Sequence, residues 1–417
     1  MSDVWMPGVW MPGDYMPGVW RVCSLTRRYP DSMSAAPYFL TPEALRHPDS
    51  TKWLKYPGDV LPLWVADMDY GISPYITAAL HERLHSGLGY FTYHRPEPQM
   101  APLLTQKLAI QGVTDLPAGG IRTLPGVVPG LYASVLGLTS PGDDVISMLP
   151  IYPPFLSAIS DHGRRLRSAD LLHTDAGWQI DWDALEAAVT PAARLLMLCH
   201  PHNPTGRVWT RAELERLADF AVRHRLWVVS DELHADLSFM GRHTAFVSVN
   251  PELWERTVTL TGPCKTYNTA GLGIGAAFSH SLAMLDRLNR ATVGVMGQPS
   301  AMSMTMWQAA LEGGGEWLEV VLEQLRANRD LLSARLGSEL SWVRYSPPEA
   351  TYLALLDLRA HPRHADIQQF LLQDAGVALN DGPTFGAGYQ GFVRLNFATS
   401  PDILNEAIDR VVRACRF

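Results

Sequence analysis

Cysteine is scarce in this sequence, with four residues among 417. Cys23, Cys199, Cys264 and Cys415 have neither the spacing of a zinc site nor the density of a disulfide framework. This excludes a small secreted domain held together by disulfides, and it favours a reducing compartment, the cytoplasm. We also expect no metal site, because the two histidines beside Pro201 have no third ligand at a supporting spacing.

Long apolar runs and an excess of positive charge are missing too. No stretch is apolar for long enough to span a membrane, and the first residues do not follow the basic-then-apolar pattern of a secretory signal. The chain has 34 Lys and Arg against 42 Asp and Glu, a net charge of −8, which disfavours a nucleic-acid partner. We expect a soluble protein of ordinary composition, long enough for two domains.

Residues 1–32 read as a low-complexity tail. The unit Met-Pro-Gly occurs three times, at 6–8, 11–13 and 16–18, and Pro-Gly pairs form turns instead of helix or strand. We expect a disordered tail or a misplaced translation start. The alternative is an arm that packs on a partner subunit through its Trp residues.

The most informative stretch leads from a strand to a lysine. The β-branched run Thr257–Thr261 predicts a strand, and three residues then lead to Lys265. Residues 226–230 predict a second strand that ends at Asp231. In an α/β sheet such strand ends meet in the crevice that binds ligands. A partly desolvated Lys there suits Schiff-base chemistry, and an acid suits a protonated pyridine nitrogen.

Alternating strands and helices from about residue 131 to 278 predict a mostly parallel sheet. We expect a helix at 131–138 after the glycine-rich turn at 126–130, and a helix at 211–224. Residues 351–413 follow a different pattern of elements, with strands predicted at 351–356 and 392–396 and a helix at 402–413. This part predicts a compact α+β unit.

Five motifs occur in the order typical of one enzyme family. They are Leu61-Pro62-Leu63-Trp64-Val65-Ala66-Asp67-Met68-Asp69, Pro201-His202-Asn203-Pro204-Thr205-Gly206, Ser230-Asp231-Glu232-Leu233-His234, Lys265-Thr266-Tyr267-Asn268 and Phe392-Val393-Arg394-Leu395-Asn396. With them the chain resembles the fold-type I pyridoxal 5'-phosphate (PLP) enzymes, in particular the cystathionine β-lyase/C–S lyase branch of the class I/II aminotransferases.

The resemblance implies a fold and an assembly. It implies an α/β large PLP-binding domain at 78–321 with a mainly parallel, seven-stranded sheet. A small α+β domain would combine residues 33–77 with 322–417. The family also implies a homodimer with shared active sites that takes a small amino-acid substrate.

The resemblance also implies roles for single residues. Lys265 would hold PLP as a Schiff base and act as general base, and Asp231 would pair with the pyridine nitrogen. Arg394 would bind the substrate α-carboxylate, together with Asn203 and Ala66. The remaining expected cofactor contacts are Val127 and Val128 in the phosphate cradle, Tyr152 stacked on the ring, Asn203 at the ring hydroxyl, Thr261 and the neighbouring subunit's Tyr90 at the phosphate, and His234 in support.

Each of these residues also has an ordinary structural interpretation. Asp231 could cap the next element, Tyr152 could be a core residue, and Tyr90 could be a half-buried surface residue. Arg394 could belong to a structural salt bridge. From the sequence alone, these alternatives stay open.

Two positions depart from the family pattern. Family members commonly carry Ser or Thr three residues before the lysine or next to it, where this chain has Gly262 and Cys264. We therefore predict somewhat weaker PLP binding, with Thr261 as a substitute. Residues 91–99 look shortened, so substrate contacts from that loop are not carried over.

The function expected from the resemblance is a C–S β-lyase that releases thiol, pyruvate and ammonia from cystathionine or related cysteine S-conjugates. An aminotransferase of broad specificity is the alternative, and it uses the same catalytic residues. A non-catalytic PLP-binding regulator is the alternative from another class, although the sequence shows no helix-turn-helix pattern and no basic patch.

Overall fold

The computed structural model describes residues 38–89 and 100–416. The predictions made for the tail at 1–32, for Tyr90 and for residues 91–99 lie outside the described residues.

The described chain forms fifteen strands, of which the central ones are runs of buried residues and the edge ones are more exposed. They are β1 Leu61–Pro62, β2 Ile121–Leu124, β3 Asp144–Leu149, β4 Arg165–Asp170, β5 Leu172–Thr174, β6 Gly177–Gln179, β7 Ala193–Cys199, β8 Trp227–Asp231, β9 Thr257–Thr261, β10 Gly275–Phe278, β11 Arg344–Tyr345, β12 Leu353–Asp357, β13 Val377–Ala378, β14 Asn380–Asp381 and β15 Phe392–Asn396.

The helices begin mostly at Ser, Thr or Asp caps. They are α1 Pro42–Leu45, α2 Thr51–Leu54, α3 Pro74–His85, α4 Met100–Ile110, α5 Val127–Leu138, α6 Pro153–Ser160, α7 Trp182–Ala187, α8 Arg211–Arg223, α9 Leu282–Thr292, α10 Ala301–Gly313, α11 Gly315–Glu339, α12 Ile367–Asp374 and α13 Pro401–Ala414.

The larger sheet of the described chain has seven strands in the order β2-β10-β9-β8-β7-β3-β4. β10 runs antiparallel to both of its neighbours, and all the other pairs are parallel. This confirms the predicted fold class, an α/β protein with a mainly parallel sheet. β3, β8 and β9 are buried along their whole lengths apart from Trp227, as strands covered by helices on both faces must be.

Helix α5 begins about one turn earlier than predicted, at Val127 instead of Leu131. Pro129 looks like a helix breaker, but proline is tolerated in a first turn, where no N–H partner is lost. The earlier start matters because it makes Val127 and Val128 the first two residues of the helix, where backbone N–H groups have no partner within the helix.

A second sheet in the described chain has four antiparallel strands in the order β11-β12-β15-β14. β1, from the N-terminal part, pairs in parallel with β13. The predicted boundary between residues 321 and 322 falls inside the continuous helix α11. The division into a large and a small domain stays a prediction.

Within the described part of the chain, no helix combines the length and the apolar character that crossing a membrane requires.

Candidate active site

Three neighbouring parallel strands end at one edge of the larger sheet. β7 ends at Cys199, β8 at Asp231 and β9 at Thr261. The register pairs Cys199 with Asp231, and Asp231 with Leu260. Because the carboxyl ends of parallel strands share an edge, the loops that follow carry Asn203, His234 and Lys265 into the same region.

Lys265 is half-buried as a side chain, but its amine is enclosed. The Nζ atom donates a hydrogen bond to the backbone oxygen of Ala66 at 2.8 Å. Burial lowers the pKa of Lys265, while nearby Asp67 partly counters the shift and the Arg394 charge adds to it. A lysine whose charged form is disfavoured is the kind that can act as a nucleophile and as a base.

Asp231 is buried, and one of its carboxylate oxygens accepts the backbone N–H of Leu233 at 3.1 Å. Burial, helped by the adjacent Glu232 and opposed by the Leu233 hydrogen bond and by Lys265, raises the pKa of Asp231 to about 7. A buried carboxyl with so few internal donors would be stabilised as an anion by a bound cation, such as a protonated ring nitrogen.

Arg394 is buried in β15, and its hydrogen bonds within the described chain all go to neutral oxygens. Its guanidinium contacts Asn203 Oδ1 at 3.1 Å, Asn380 Oδ1 at 2.7 Å and the Trp64 backbone oxygen at 3.2 Å. It also lies 5.0 Å from the centre of the Phe385 ring. Burial lowers the pKa of Arg394 to about 10.

The structural salt bridge that was the alternative interpretation of Arg394 is not seen. Within residues 38–89 and 100–416, Arg394 forms no ion pair with a carboxylate. A buried cation without an anion is costly. The arrangement therefore leaves this charge available to an incoming carboxylate.

His234 and Tyr152 lie beside these charged groups. His234 is buried and its Nδ1 atom has no hydrogen-bond partner in the described chain. Burial and the positive charges of Lys265 and Arg394 lower the pKa of His234 to about 3, so the ring is neutral. Tyr152 precedes α6 and is close enough to Arg394 and Asp231 for both charges to affect its pKa, which burial raises.

Residues 64–70 form a bent segment in which the sequence prediction assigned a site role to Ala66 alone, and the structure shows contacts along most of its length. Ala66 O accepts hydrogen bonds from Lys265 and, at 3.1 Å, from the hydroxyl of Tyr352. Asn396 Nδ2 donates to the backbone oxygens of Val65 and Asp67, each at 2.7 Å. The segment thus joins the predicted catalytic lysine to the strand that carries Arg394.

Two further residues hold the segment and were missed by sequence reasoning. The buried Lys52 bonds to the Asp67 backbone oxygen and pairs with Asp69, both at 2.9 Å. Asn268 accepts the N–H of Met68 at 2.9 Å and donates to the oxygens of Met68 and Tyr70. Only Asn268 carried a signal, since it belongs to the Lys265 motif; Tyr352 and Lys52 carried none.

Glycines let three segments of the chain pack closely beside the start of α5. A side chain at Gly275 would place its Cβ 3.0 Å from the Thr261 backbone oxygen, 3.1 Å from Val127 and 3.2 Å from Gly126. These contacts bring Thr261 and the α5 N-terminus together, as predicted. A helix N-terminus approached closely only because glycines leave room is a suitable place for a phosphate.

The residues present therefore fit PLP. An enclosed amine, a buried acid and a neutral His with an unpartnered ring nitrogen face the region where the ring would lie, and a glycine-lined helix start suits the phosphate. Hydrogen bonds join Lys265 to Ala66 and Arg394 to Asn203. The charges of Lys265 and Arg394 act on His234, and Thr261 lies near Val127 at the start of α5. The roles assigned to them stay predictions, and Tyr90 lies outside the described residues.

The fold and site define a class of protein, and a family comparison agrees. Residues 58–411 match the model of the family described as aminotransferase class I and II. The chain belongs to this family, which confirms the resemblance predicted from its motifs.

The most similar relatives include lyases and transaminases. Cystathionine beta-lyase PatB from Bacillus subtilis is 35% identical over 365 residues, covering 85% of this chain and 92% of that protein. Arginine–pyruvate transaminase AruH from Pseudomonas aeruginosa is 28% identical over 356 residues, covering 85% and 89%. The structure of cystalysin from Treponema denticola, which contains a PLP cofactor, has a TM-score of 0.85 at 28% identity, covering 90% and 98%.

Proposed function

We propose that this protein is a PLP-dependent C–S β-lyase that acts on cystathionine or related cysteine S-conjugates. One observation carries the proposal: the Lys265 amine and the Arg394 guanidinium both reach the backbone of residues 64–66. A group that can remove a proton and a group that can hold a carboxylate therefore face one space. The similarity to PatB and cystalysin supports the lyase branch.

Bound PLP would supply an electron sink for the pair of electrons left when the substrate Cα–H bond breaks. Lys265 would hold the cofactor and, once the amino acid has taken its place, accept the Cα proton. Asp231 would keep the ring nitrogen protonated. Arg394 would hold the α-carboxylate by two parallel hydrogen bonds, for which its planar guanidinium is suited.

The two candidate reactions differ after the proton is removed. In β-elimination the Cβ–S bond breaks, a thiolate leaves, and hydrolysis gives pyruvate and ammonia. In transamination Lys265 would instead return the proton, and hydrolysis would release a keto acid while the cofactor keeps the amino group. Both reactions use the same residues, so the similarity to AruH keeps a broad-specificity aminotransferase as the second candidate.

The deciding experiment measures pyruvate release from L-cystathionine by PLP-loaded protein without added keto acid. We expect continuous release over many turnovers. Single-turnover release at most, with amino transfer once a keto acid is supplied, would instead establish the aminotransferase. The non-catalytic regulator is disfavoured because Lys265, Asp231 and Arg394 are all present and close together.

We also propose a homodimer located in the cytoplasm. The exposed apolar residues Val293 and Val295, 73% and 90% exposed, support an interface between α9 and α10. They lie next to a surface cavity of about 350 Å³ lined by Met296 and Gln298. The low cysteine content supports a reducing compartment.

A further inference from the structure

A buried carboxylate–imidazole pair lies directly behind Asp231, and none of the chemistry proposed above uses it. Glu232 Oε2 and His243 Nε2 are 2.7 Å apart, and each side chain is 2% exposed. At this distance the two groups share a hydrogen bond, which Nε2 donates when Glu232 is ionised. No other described His–carboxylate contact is buried to this degree.

The other oxygen of Glu232 is held equally firmly. Oε1 accepts the Ser230 hydroxyl at 2.8 Å and the backbone N–H of Phe246 at 2.9 Å. The carboxylate therefore has three donors, from strand β8, from the loop at 243 and from the turn at 246. A buried carboxylate with three donors is fixed in position, because the loss of any one donor leaves charge unsatisfied.

The backbone around Glu232 is tied to both neighbouring strands. The Glu232 N–H donates to Leu260 O at 2.8 Å, and the Asp231 oxygen accepts the His200 N–H at 2.9 Å. The His200 ring also lies against the His243 ring, with centres 4.5 Å apart. His243 thus contacts both Glu232 and the residue that hydrogen-bonds to the Asp231 backbone.

The Asp231 carboxylate has far less support of its own. Its one hydrogen bond within the described chain is the Leu233 N–H at 3.1 Å. The direction of this carboxylate therefore depends on the backbone of residues 231–233, which the Glu232 side chain anchors from the far side. We propose that Glu232 and His243 are positioning residues, which hold the Asp231 carboxylate in line with the pyridine nitrogen of PLP.

This proposal rests on the proposed role of Asp231 but not on the choice between lyase and aminotransferase. It predicts an effect on PLP itself, before any substrate binds. A purely structural pair would instead lower the stability of the fold and leave the cofactor unaffected in the protein that remains folded.

The test compares three variants by PLP affinity, by the visible absorption spectrum of bound PLP and by the Tm of the cofactor-free protein. His243→Leu removes the donor to Glu232, whereas His243→Gln keeps an N–H at similar reach. His361→Leu is the matched control, because His361 is also buried but packs between Trp342 and Phe370.

We expect His243→Leu to raise the Kd for PLP about tenfold, the loss typical of one weakened charged hydrogen bond, and to change the spectrum of bound PLP. His243→Gln should restore both to within about threefold of the wild type. His361→Leu should lower Tm with the affinity and spectrum unchanged.

A His243→Leu protein with normal PLP affinity and spectrum but a lowered Tm would overturn the proposal, since it would assign the pair a structural role alone. If this variant does not fold, Glu232→Gln decides by the same two readouts. Failure of the wild type to bind PLP would instead refute the proposed function.

Discussion

Arg394 combines a full positive charge with neutral hydrogen-bond partners. Asn203, Asn380 and Trp64 O orient the guanidinium without neutralising it. A lysine at this position keeps the charge but loses the planar pair of donors. The geometry of the donors, as well as the charge, should therefore decide how well a substrate carboxylate is bound.

We predict that Arg394→Lys raises KM for L-cystathionine roughly 30- to 100-fold, the cost of a lost bidentate contact, with a smaller effect on kcat. Steady-state pyruvate release measures both constants. Arg359→Lys is the control, because Arg359 is 51% exposed and pairs with Asp357. Equal KM values for Arg394→Lys and the wild type would refute carboxylate binding by Arg394.

The raised pKa of Asp231 predicts how the stability of the cofactor-free fold depends on pH. Burial raises its pKa from the ordinary 3.8 to about 7. A carboxyl whose pKa is higher in the folded state stabilises the fold while protonated, and this contribution is lost as pH rises through the folded pKa. In the cofactor-free protein it is thus fully present below 3.8 and disappears towards about pH 7.

We expect cofactor-free Asp231→Asn to gain stability over the wild type as pH rises from about 5 to about 8, by roughly 2–3 kcal/mol. Urea unfolding across that range measures the difference. Asp49→Asn, at a side chain that is 92% exposed, should follow the wild type. Parallel curves for Asp231→Asn and the wild type would contradict the prediction.

Positions 262 and 264 differ in whether they could accept a side chain that carries a hydroxyl group. A Cβ at Gly262 would lie 3.0 Å from the Ile274 backbone oxygen, so a side chain there would need the neighbouring backbone to shift by a few tenths of an ångström. Cys264 is half-buried, with its thiol 3.3 Å from the same oxygen. Only position 264 can therefore regain the family's hydroxyl without a rearrangement of the backbone.

We predict that Cys264→Ser lowers the Kd for PLP by about three- to tenfold, the gain expected from one hydrogen bond to a phosphate. Equilibrium dialysis of PLP measures the change. Cys415→Ser, at a buried cysteine in the loop after α13, should leave the Kd unchanged. Unchanged affinity in Cys264→Ser would show that backbone groups already satisfy the phosphate.

At the scale of elements, the segment at 64–70 has no helix or strand of its own and depends on side chains from elsewhere. Asn268 makes three of these contacts, at 2.8–3.0 Å, and has a positive φ of 55°. Asn tolerates this conformation better than most residues. The backbone requirement and the hydrogen bonds can be separated by two substitutions.

We expect Asn268→Gly, which keeps the backbone free, to lose about 2–3 kcal/mol of unfolding free energy through the missing hydrogen bonds. Asn268→Ala should lose about 1 kcal/mol more because of its positive φ. Urea unfolding of the two variants measures both steps. A stable Asn268→Gly protein would mean that the segment is held by Lys52 and Asn396 instead.

The same segment shows where prediction from sequence ends. Motif order was sufficient for the fold and for the meeting of Lys265, Asp231 and Asn203, because parallel strands must end at one edge. Arg394 lies in the second, antiparallel sheet, so its place in the site followed from the family resemblance alone. The contacts of Ala66 come from residues 199 and 286 positions away. No local periodicity records such distant partners, so Tyr352 was missed. Lys52 is only 15 positions from Asp67, and it was missed because no pattern marks a buried lysine in a short helix.

Two element boundaries were predicted wrongly, and each error has a local cause. The strand predicted at 351–356 is found at Leu353–Asp357. Thr351 has a φ of 71°, and its hydroxyl accepts the Leu353 N–H at 3.1 Å. A β-branched residue usually favours a strand, but here tertiary contacts hold it in a turn. The start of α5 was predicted too late because Pro129 looks like a helix breaker, although proline fits a first helical turn.

At the scale of the whole molecule, the proposed dimer links assembly to activity. Val293 and Val295 are strongly exposed between α9 and α10, and exposed apolar residues next to a cavity mark an interaction surface. If the active sites are shared between subunits, as the family resemblance implies, a change on this surface should affect catalysis without touching Lys265 or Arg394.

We predict that Val295→Lys converts the dimer to monomer and lowers pyruvate release in proportion, because a buried unpaired charge is costly at an interface. Light scattering after size exclusion gives the mass, and activity is measured on the same fractions. Met240→Lys, at a residue that is 66% exposed elsewhere on the chain, should change neither. A dimeric, fully active Val295→Lys protein would place the interface on another surface, whereas a fully active monomer would show that each active site is complete within one chain.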